Sequence, residues 1–421
     1  MKTLKIKIDS RKIPLAALFT ANAISMTGNM IAVVVIPWFV LKTTGSAEQM
    51  GITGFFSVLP VVLAGFFGGT LVDRLGYKHS SVLADLTSGV MVVLIPILYA
   101  TVGLPFWVLM VLVFLGALLD APGDTARTAL IPDLAEQAEI PLERATAINQ
   151  MVERGSRLVG APLGGLLIGF LGQANALWVD GISFLISALL VAFLVKGKVK
   201  TKVAETSRGN YWKEMSEGFR FLAGDRLLLT IALVIMVTNF LDAGFSGVVL
   251  PVYMNQVYGN ALSLGLIIAM GGGGAVLGAL LYGWLGVKLP RFITFVSMFI
   301  LVSLRFFVLL FNPPLWVLLV STFLLAIGAG PLNPIINAVE YERIPADMRG
   351  RVFGIVTAGA WIAMPLSELA AGFLVNWLGT MPVILGCGVT YVAATLSMLA
   401  IPSMRAMDRL EVAAGDWGGM K

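Results

Sequence analysis

Histidine and cysteine are almost missing from this 421-residue chain, which has one of each, His79 and Cys387. One cysteine excludes an intramolecular disulfide. A single His beside a single Cys leaves no ligand set for zinc or haem. No HExxH and no GxSxG occurs, and the glycine run Gly271 to Gly274 lacks the Lys-Ser/Thr ending of a phosphate loop. Charge is scarce as well: Asp, Glu, Lys and Arg make up 13% of the residues and hydrophobic residues 58%. Soluble domains carry about 25% charged residues. So little polar surface cannot coat a water-soluble globule of this length, and the chain reads as an integral membrane protein rather than an enzyme, with no cofactor and no metal.

Roughly 20 apolar residues in a helix cross the hydrocarbon core of a bilayer. That ruler predicts an all-α protein with twelve transmembrane helices near 14–41, 48–72, 80–101, 106–130, 146–171, 174–195, 227–256, 261–286, 290–311, 314–338, 350–378 and 381–402. The first apolar run is too long for a cleaved signal peptide and has no clear cleavage site, so it is read as the first span. A polar stretch divides the chain into an N-terminal six-helix bundle (1–195), a cytoplasmic linker (196–225), a C-terminal six-helix bundle (226–402) and a tail (403–421). In the linker Trp212, Met215 and Phe219 recur at three- to four-residue spacing, with Phe221 two residues on, the pattern of an amphipathic helix on the membrane surface.

The net charge is +5 and the pI about 9.3, but the placement of the basic residues argues against nucleic acid. With both termini cytoplasmic, the 29 Lys and Arg fall on the inside apart from Lys42 in an outer loop and Arg154, Arg157 and Arg305 within helices. This is the positive-inside pattern of a multi-pass protein facing an anionic leaflet. The chain also repeats. At a constant offset of 214 residues Pro37 falls on Pro251, Gly45 on Gly259, Gly51 on Gly265, Gly69 on Gly283 and Arg74 on Lys288. Six helices repeated in parallel is a transporter plan with pseudo-two-fold symmetry.

After the second predicted helix the chain reads Gly69-Thr-Leu-Val-Asp73-Arg74-Leu-Gly76-Tyr77-Lys78. This resembles the loop signature of the major facilitator superfamily, in the loop where that family carries it, with Tyr77 in place of the usual Arg. Gly69 permits close helix approach and Gly76 a tight turn. The resemblance implies a gate in which Asp73 pairs, in one conformation only, with a basic group such as Arg127 or with the helix start near Arg351. Within the superfamily the chain resembles the branch of macrolide-efflux proteins and the enterobactin exporter, drug:proton antiporters of the prokaryotic cell membrane. The stretches that carry this are Ala121-Pro122 with Ala129-Leu-Ile-Pro132-Asp133-Leu134; Asn149 with Arg157 and Gly160-Ala-Pro162-Leu-Gly164-Gly165; and Glu342-Arg343-Ile-Pro345-Ala-Asp347-Met-Arg349-Gly350-Arg351. In the second stretch Ala precedes Pro where the exporter motif has Gly. The resemblance implies a monomer that exports amphipathic small molecules by alternating access. A lysophospholipid mover of the same superfamily is the alternative; a membrane enzyme or a channel is a distant one.

Ionisable groups at membrane depth cost about 2.5–3.5 kcal/mol on insertion scales and therefore face a cavity or a partner. Asp242 and Glu368 lie near the middle of their predicted helices and Asp120 in the fourth. A carboxyl so placed can load and release a proton, and these three are the proton-coupling candidates. Asn22, Asn29, Trp38, Asp124, Asn149, Glu153, Arg154, Asn239, Phe245, Asn333 and Asn337 are the substrate-cavity candidates. Most lie on the first and fourth helices of each half, which resemble the superfamily's cavity-lining set. Glu153 and Arg157 are spaced for an i,i+4 pair. Asp180 is read as structural, Arg305 as snorkelling or paired, and the last helix as lipid-facing.

Overall fold

The computed structural model describes residues 11–195, 211–346 and 348–408, with the backbone alone at 65–71, 73, 74, 211–214 and 287. The linker before Tyr211, the tail beyond Asp408 and Asp347 of the third motif stretch therefore lie outside the described residues, as do the side chains of Asp73, Arg74 and Trp212. All regular structure among the described residues is helical. The helices are α1 (Ile13–Thr44), α2 (Ala47–Leu75), α3 (Tyr77–Thr101), α4 (Phe106–Gln137), α5 (Leu142–Leu171), α6 (Ala176–Leu194), α7 (Tyr211–Gly224) and α8 (Arg226–Gly244). They continue as α9 (Leu250–Val257), α10 (Ala261–Leu285), α11 (Arg291–Leu309), α12 (Leu315–Ala326), α13 (Ala329–Arg343), α14 (Arg349–Ile362), α15 (Met364–Leu378) and α16 (Thr380–Ala400).

Eleven described stretches are long and apolar enough to span a bilayer, and three of them are pairs of helices read in the sequence as one. Between α8 and α9 the chain makes a π turn, Phe245–Val249. Short irregular steps separate α12 from α13 and α14 from α15. The twelfth membrane helix is α5, 30 residues long but too rich in charge, with Glu143, Arg144, Glu153, Arg154 and Arg157, to pass on composition. Several helices outrun their predicted ends: α4 reaches Gln137 rather than 130, and α13 reaches Arg343 rather than 338. Hydropathy marks where lipid stops, whereas backbone hydrogen bonding carries the helix on into the aqueous edge.

The chain forms two compact units. The first holds the chain up to Gly45, α2 from Phe56, α3 to α6, and Gly259–Ala269 at the head of α10. Within it α1 packs on α5 and α6, and α3 on α4 and α6. Leu15, Leu18, Leu130, Leu134 and Val191 make a buried cluster there. The second holds Ser46–Phe55, α7 to Tyr258, and the chain from Met270; in it α8 packs on α14 and α15, and α11 on α12, α13 and α16.

Glycine contacts explain why the heads of α2 and α10 group apart from the rest of their helices. In the second unit a Cβ on Gly51 would meet the Gly372 Cα at 2.8 Å. In the first, one on Gly165 would meet the Leu262 Cα at 2.7 Å and one on Gly265 the Pro162 Cα at 2.9 Å. Gly274 and Gly278 likewise bring α10 against the backbone of Phe323 and Ile327, so the four-glycine run is a packing surface. Two positions of the sequence repeat share a backbone state: Gly45 and Gly259 have φ of +67° and +72°. A side chain is disfavoured there, and in each case the left-handed residue ends the first helix of a half.

Candidate functional site

In the first unit several acidic residues gather around Arg127. Its side chain is 1% exposed and its Nη1 donates to Asp85 Oδ1 at 2.5 Å. Asp85, itself 0% exposed, takes the Ser187 hydroxyl on its other oxygen at 2.6 Å. Arg127 Nη2 lies 3.8 Å from Asp120 and 3.9 Å from Asp124. Asp120 is held by Asn29, whose Nδ2 donates to it at 3.0 Å, and Asn22 donates to Asn149 at 3.0 Å. The structure thus joins Asn29, Asp120, Asp124 and Arg127 into one cluster around an acid, Asp85, that the sequence reading passed over. An ionisable residue inside the apolar run 80–101 was the signal for it. The Asp73 side chain, the partner expected for Arg127, lies outside the described residues.

Other candidates of this unit sit apart. Trp38 is buried, with the Lys42 ammonium 5.4 Å from its ring. Glu153 and Arg157 pair at 2.9 Å on an exposed face of α5, and Arg154 is exposed beside them. Asp180 is buried and neither carboxylate oxygen has a hydrogen-bond partner among the described residues; the Ser183 hydroxyl donates to its main-chain carbonyl instead. Gly76 has φ of +82°, the tight turn expected of it, and Lys78 donates to the Ala192 carbonyl at 2.8 Å near the end of α6. Gly69 lies within α2.

In the second unit the charged centre is built differently. Arg305 on α11 pairs with Asp242 on α8, and its guanidinium rests among three rings, with Cζ 4.8 Å from Phe306, 5.4 Å from Phe245 and 5.9 Å from Tyr391. Phe245 and Phe306 meet edge to face at 4.8 Å. The Arg305 and Asp242 side chains keep 29% and 38% of their surface exposed. Arg305 is therefore paired rather than snorkelling, and α16 is not purely lipid-facing, since Tyr391 is buried against this centre. Asn239 is half-buried, while Asn333 and Asn337 are exposed on α13.

Glu368, on α15, is buried, and its carboxyl occupies space that two glycines leave open. A Cβ on Gly247, in the π turn, would lie 2.7 Å from its carboxyl carbon, and one on Gly54 would fall on its Oε2. The residue before it, Ser367, accepts the Gly244 N–H at 3.0 Å and donates its hydroxyl to the Phe240 carbonyl.

The third motif stretch forms ion pairs that tie the second unit together. Glu342 holds Arg291 through two bonds of 2.6 and 2.8 Å, Arg343 donates to Asp225 at 2.9 Å, and Arg351 donates to Glu217 of α7 at 3.0 Å. Asp225 also caps α8 through the Leu227 and Leu228 N–H groups. No three metal-ligating side chains gather among the described residues.

The profile of the Major Facilitator Superfamily matches residues 18–241 and 232–416. The multidrug efflux pump Tap of Mycobacterium tuberculosis is 30% identical over 404 residues, covering 95% of this chain and 96% of that one. Macrolide efflux protein A of Streptococcus pyogenes is 22% identical over 404 residues, covering 96% and 99%. Among solved structures, the nucleoside transporter NupG aligns with a TM-score of 0.74 at 12% identity, covering 92% of this chain and 98% of that one. A D-xylose-proton symporter aligns with a TM-score of 0.70 at 14% identity, covering 93% and 98%. At such identities these two likenesses speak for the fold alone.

Proposed function

The chain belongs to the major facilitator superfamily, and from that premise we propose that it is a proton-coupled exporter of amphipathic small molecules in the cytoplasmic membrane of a bacterium. The relatives named for multidrug and macrolide efflux support export of that substrate class. The distribution of Lys and Arg supports cytoplasmic termini. The chain works as a monomer.

The observation that carries the coupling is the half-open Asp242–Arg305 pair, seated where α8 gives way to a π turn. Ionised Asp242 holds the guanidinium; a proton on the carboxyl removes that attraction, while the three rings still receive Arg305. One site therefore has two charge arrangements, and a two-state transporter needs its conformational equilibrium biased by just such a change. Glu368 and Asp120 are the further proton carriers. Asn22, Asn29, Asp124, Asn149, Glu153, Arg154, Asn239, Phe245, Asn333 and Asn337 supply polar and aromatic contacts to substrate, and the loop Gly69–Lys78 gates the inner face through Asp73 and Arg74.

The test is proton flux in proteoliposomes carrying an internal pH dye, with ethidium, erythromycin and a lysophospholipid added in turn to wild type and to Asp242→Asn. Flux triggered by the dye or macrolide in wild type, and lost in the variant, supports the proposal. Flux that survives in Asp242→Asn moves the coupling to Glu368 or Asp120. Transfer of the lysophospholipid without proton movement replaces drug export with lipid translocation.

A further inference from the structure

An uninterrupted α-helix bonds each N–H to the carbonyl four residues back. In α8 the Gly244 N–H should therefore meet the Phe240 carbonyl. The Ser367 hydroxyl engages both groups: it accepts from Gly244 N–H at 3.0 Å and donates to Phe240 C=O. A side chain of α15 is thus bound to one rung of the α8 ladder. α8 stays regular through Gly244, with the Phe245 N–H on the Leu241 carbonyl, and the π turn Phe245–Val249 follows at once.

What lies in the bridged turn is Asp242, between Phe240 and Gly244, with Phe245 directly after the turn. These are the two α8-side members of the Arg305 site. The next residue of α15, Glu368, packs its carboxyl against Gly247 in the same π turn. α15 thus grips the site's helix at two successive points, once by a hydrogen-bonding bridge and once by filling a glycine gap.

We propose that Ser367 is a positioning residue for the Asp242–Arg305 site, its hydroxyl tying to α15 the turn that carries Asp242 and leads into Phe245. When the hydroxyl leaves, that turn loses its tie to α15 and Asp242 shifts against the guanidinium. The Gly244 N–H and the Phe240 carbonyl remain partners for one another when the hydroxyl is absent, so its loss leaves neither without a bond. The consequence for transport rests on the reading of Asp242 as the coupling carboxyl; the geometric claim does not.

Cys387, the chain's one cysteine, lies one helical turn before Tyr391 on α16 and is partly exposed. It is a native reporter at the edge of the site. The experiment uses the full chain with Ser367→Thr, Ser367→Val and Ser367→Ala. Thr and Val share a shape and differ in the hydroxyl. Three quantities are measured: the N-ethylmaleimide labelling rate of Cys387, ethidium-triggered proton flux in proteoliposomes, and the thermal midpoint.

The proposal expects Thr to track wild type. Val and Ala change the labelling rate by about threefold or more and lower the flux about tenfold, with the thermal midpoint held. Val and Thr behaving alike would overturn it, because shape rather than hydroxyl would then matter. So would Val and Ala whose flux falls only in step with their thermal midpoint, since that is a packing role. Should Ala fail to fold, the Thr–Val pair decides alone. If Asp242→Asn keeps wild-type flux while labelling still splits by the hydroxyl, the coupling reading fails and the positioning role stands.

Discussion

Arg127 in the first unit and Arg305 in the second both lie within membrane helices against an aspartate, yet their surroundings have little in common. Arg127 is enclosed, its partner Asp85 fully buried and braced by Ser187, with Asp120 and Asp124 as looser ion-pair partners at 3.8 and 3.9 Å. Arg305 keeps about a third of its surface and of its partner's open, and three aromatic rings give it a second place to rest. A fully buried pair braced by a second hydrogen bond fixes a structure. A half-open pair beside a cage is the arrangement that the proposed coupling requires. On that reading the first unit uses its arginine as a rivet and the second as a switch.

The sharpest way to break that contrast is at the rivet. Asp85→Ala takes the hydrogen-bonded acid from a buried guanidinium and is expected to cost about 3–5 kcal/mol, read as a lost or strongly lowered thermal midpoint in detergent. At the slot beside the switch, Gly247→Ala drives a methyl into the Glu368 carboxyl, and overpacking of that kind costs about 1–3 kcal/mol; the same assay detects it. Asp242→Asn should lower substrate-triggered proton flux about tenfold, equivalent to about 1.4 kcal/mol, while the thermal midpoint moves little because the rings retain Arg305. An Asp242→Asn variant as unstable as Asp85→Ala would make both arginines structural. Tyr391→Leu removes one wall of the cage and should cost about 0.5–2 kcal/mol, seen as a smaller shift in midpoint than those of Asp85→Ala and Gly247→Ala. Glu153→Gln, on an exposed i,i+4 pair, should change stability by at most about 0.5 kcal/mol in a denaturation series and serves as the control.

The sequence made one part of this contrast visible and hid the other. Scarce charge singled out Asp120, Asp242 and Glu368, and the pairing of Glu153 with Arg157 followed from spacing alone. The repeat offset located Gly45 and Gly259, and the loop motif located the turn at Gly76. Asp85 was legible in principle, being an acid in an apolar run, but nothing local distinguishes it from a residue at a helix edge. Ser367 was not legible at all. A serine in a membrane helix is ordinary, and its importance arises only where it meets carbonyl and amide groups more than a hundred residues away in the chain. The π turn is hidden for the same reason: hydropathy averages over a helix and cannot register a change in the backbone bonding of a single turn. Tyr391 was missed because a helix can face lipid on one side and an arginine on the other.

The glycine contacts have a mechanical meaning beyond close packing. Where Gly51 lies on Gly372, and where Gly265 lies on Ala161 and Pro162, backbone meets backbone with no long side chain interposed. Interlocked side chains resist shear, because each must change rotamer before the surfaces slip. Smooth backbone faces have no such teeth. Those glycines are bearings: positions where neighbouring helices can roll against one another without unpacking, and where even an alanine would act as grit.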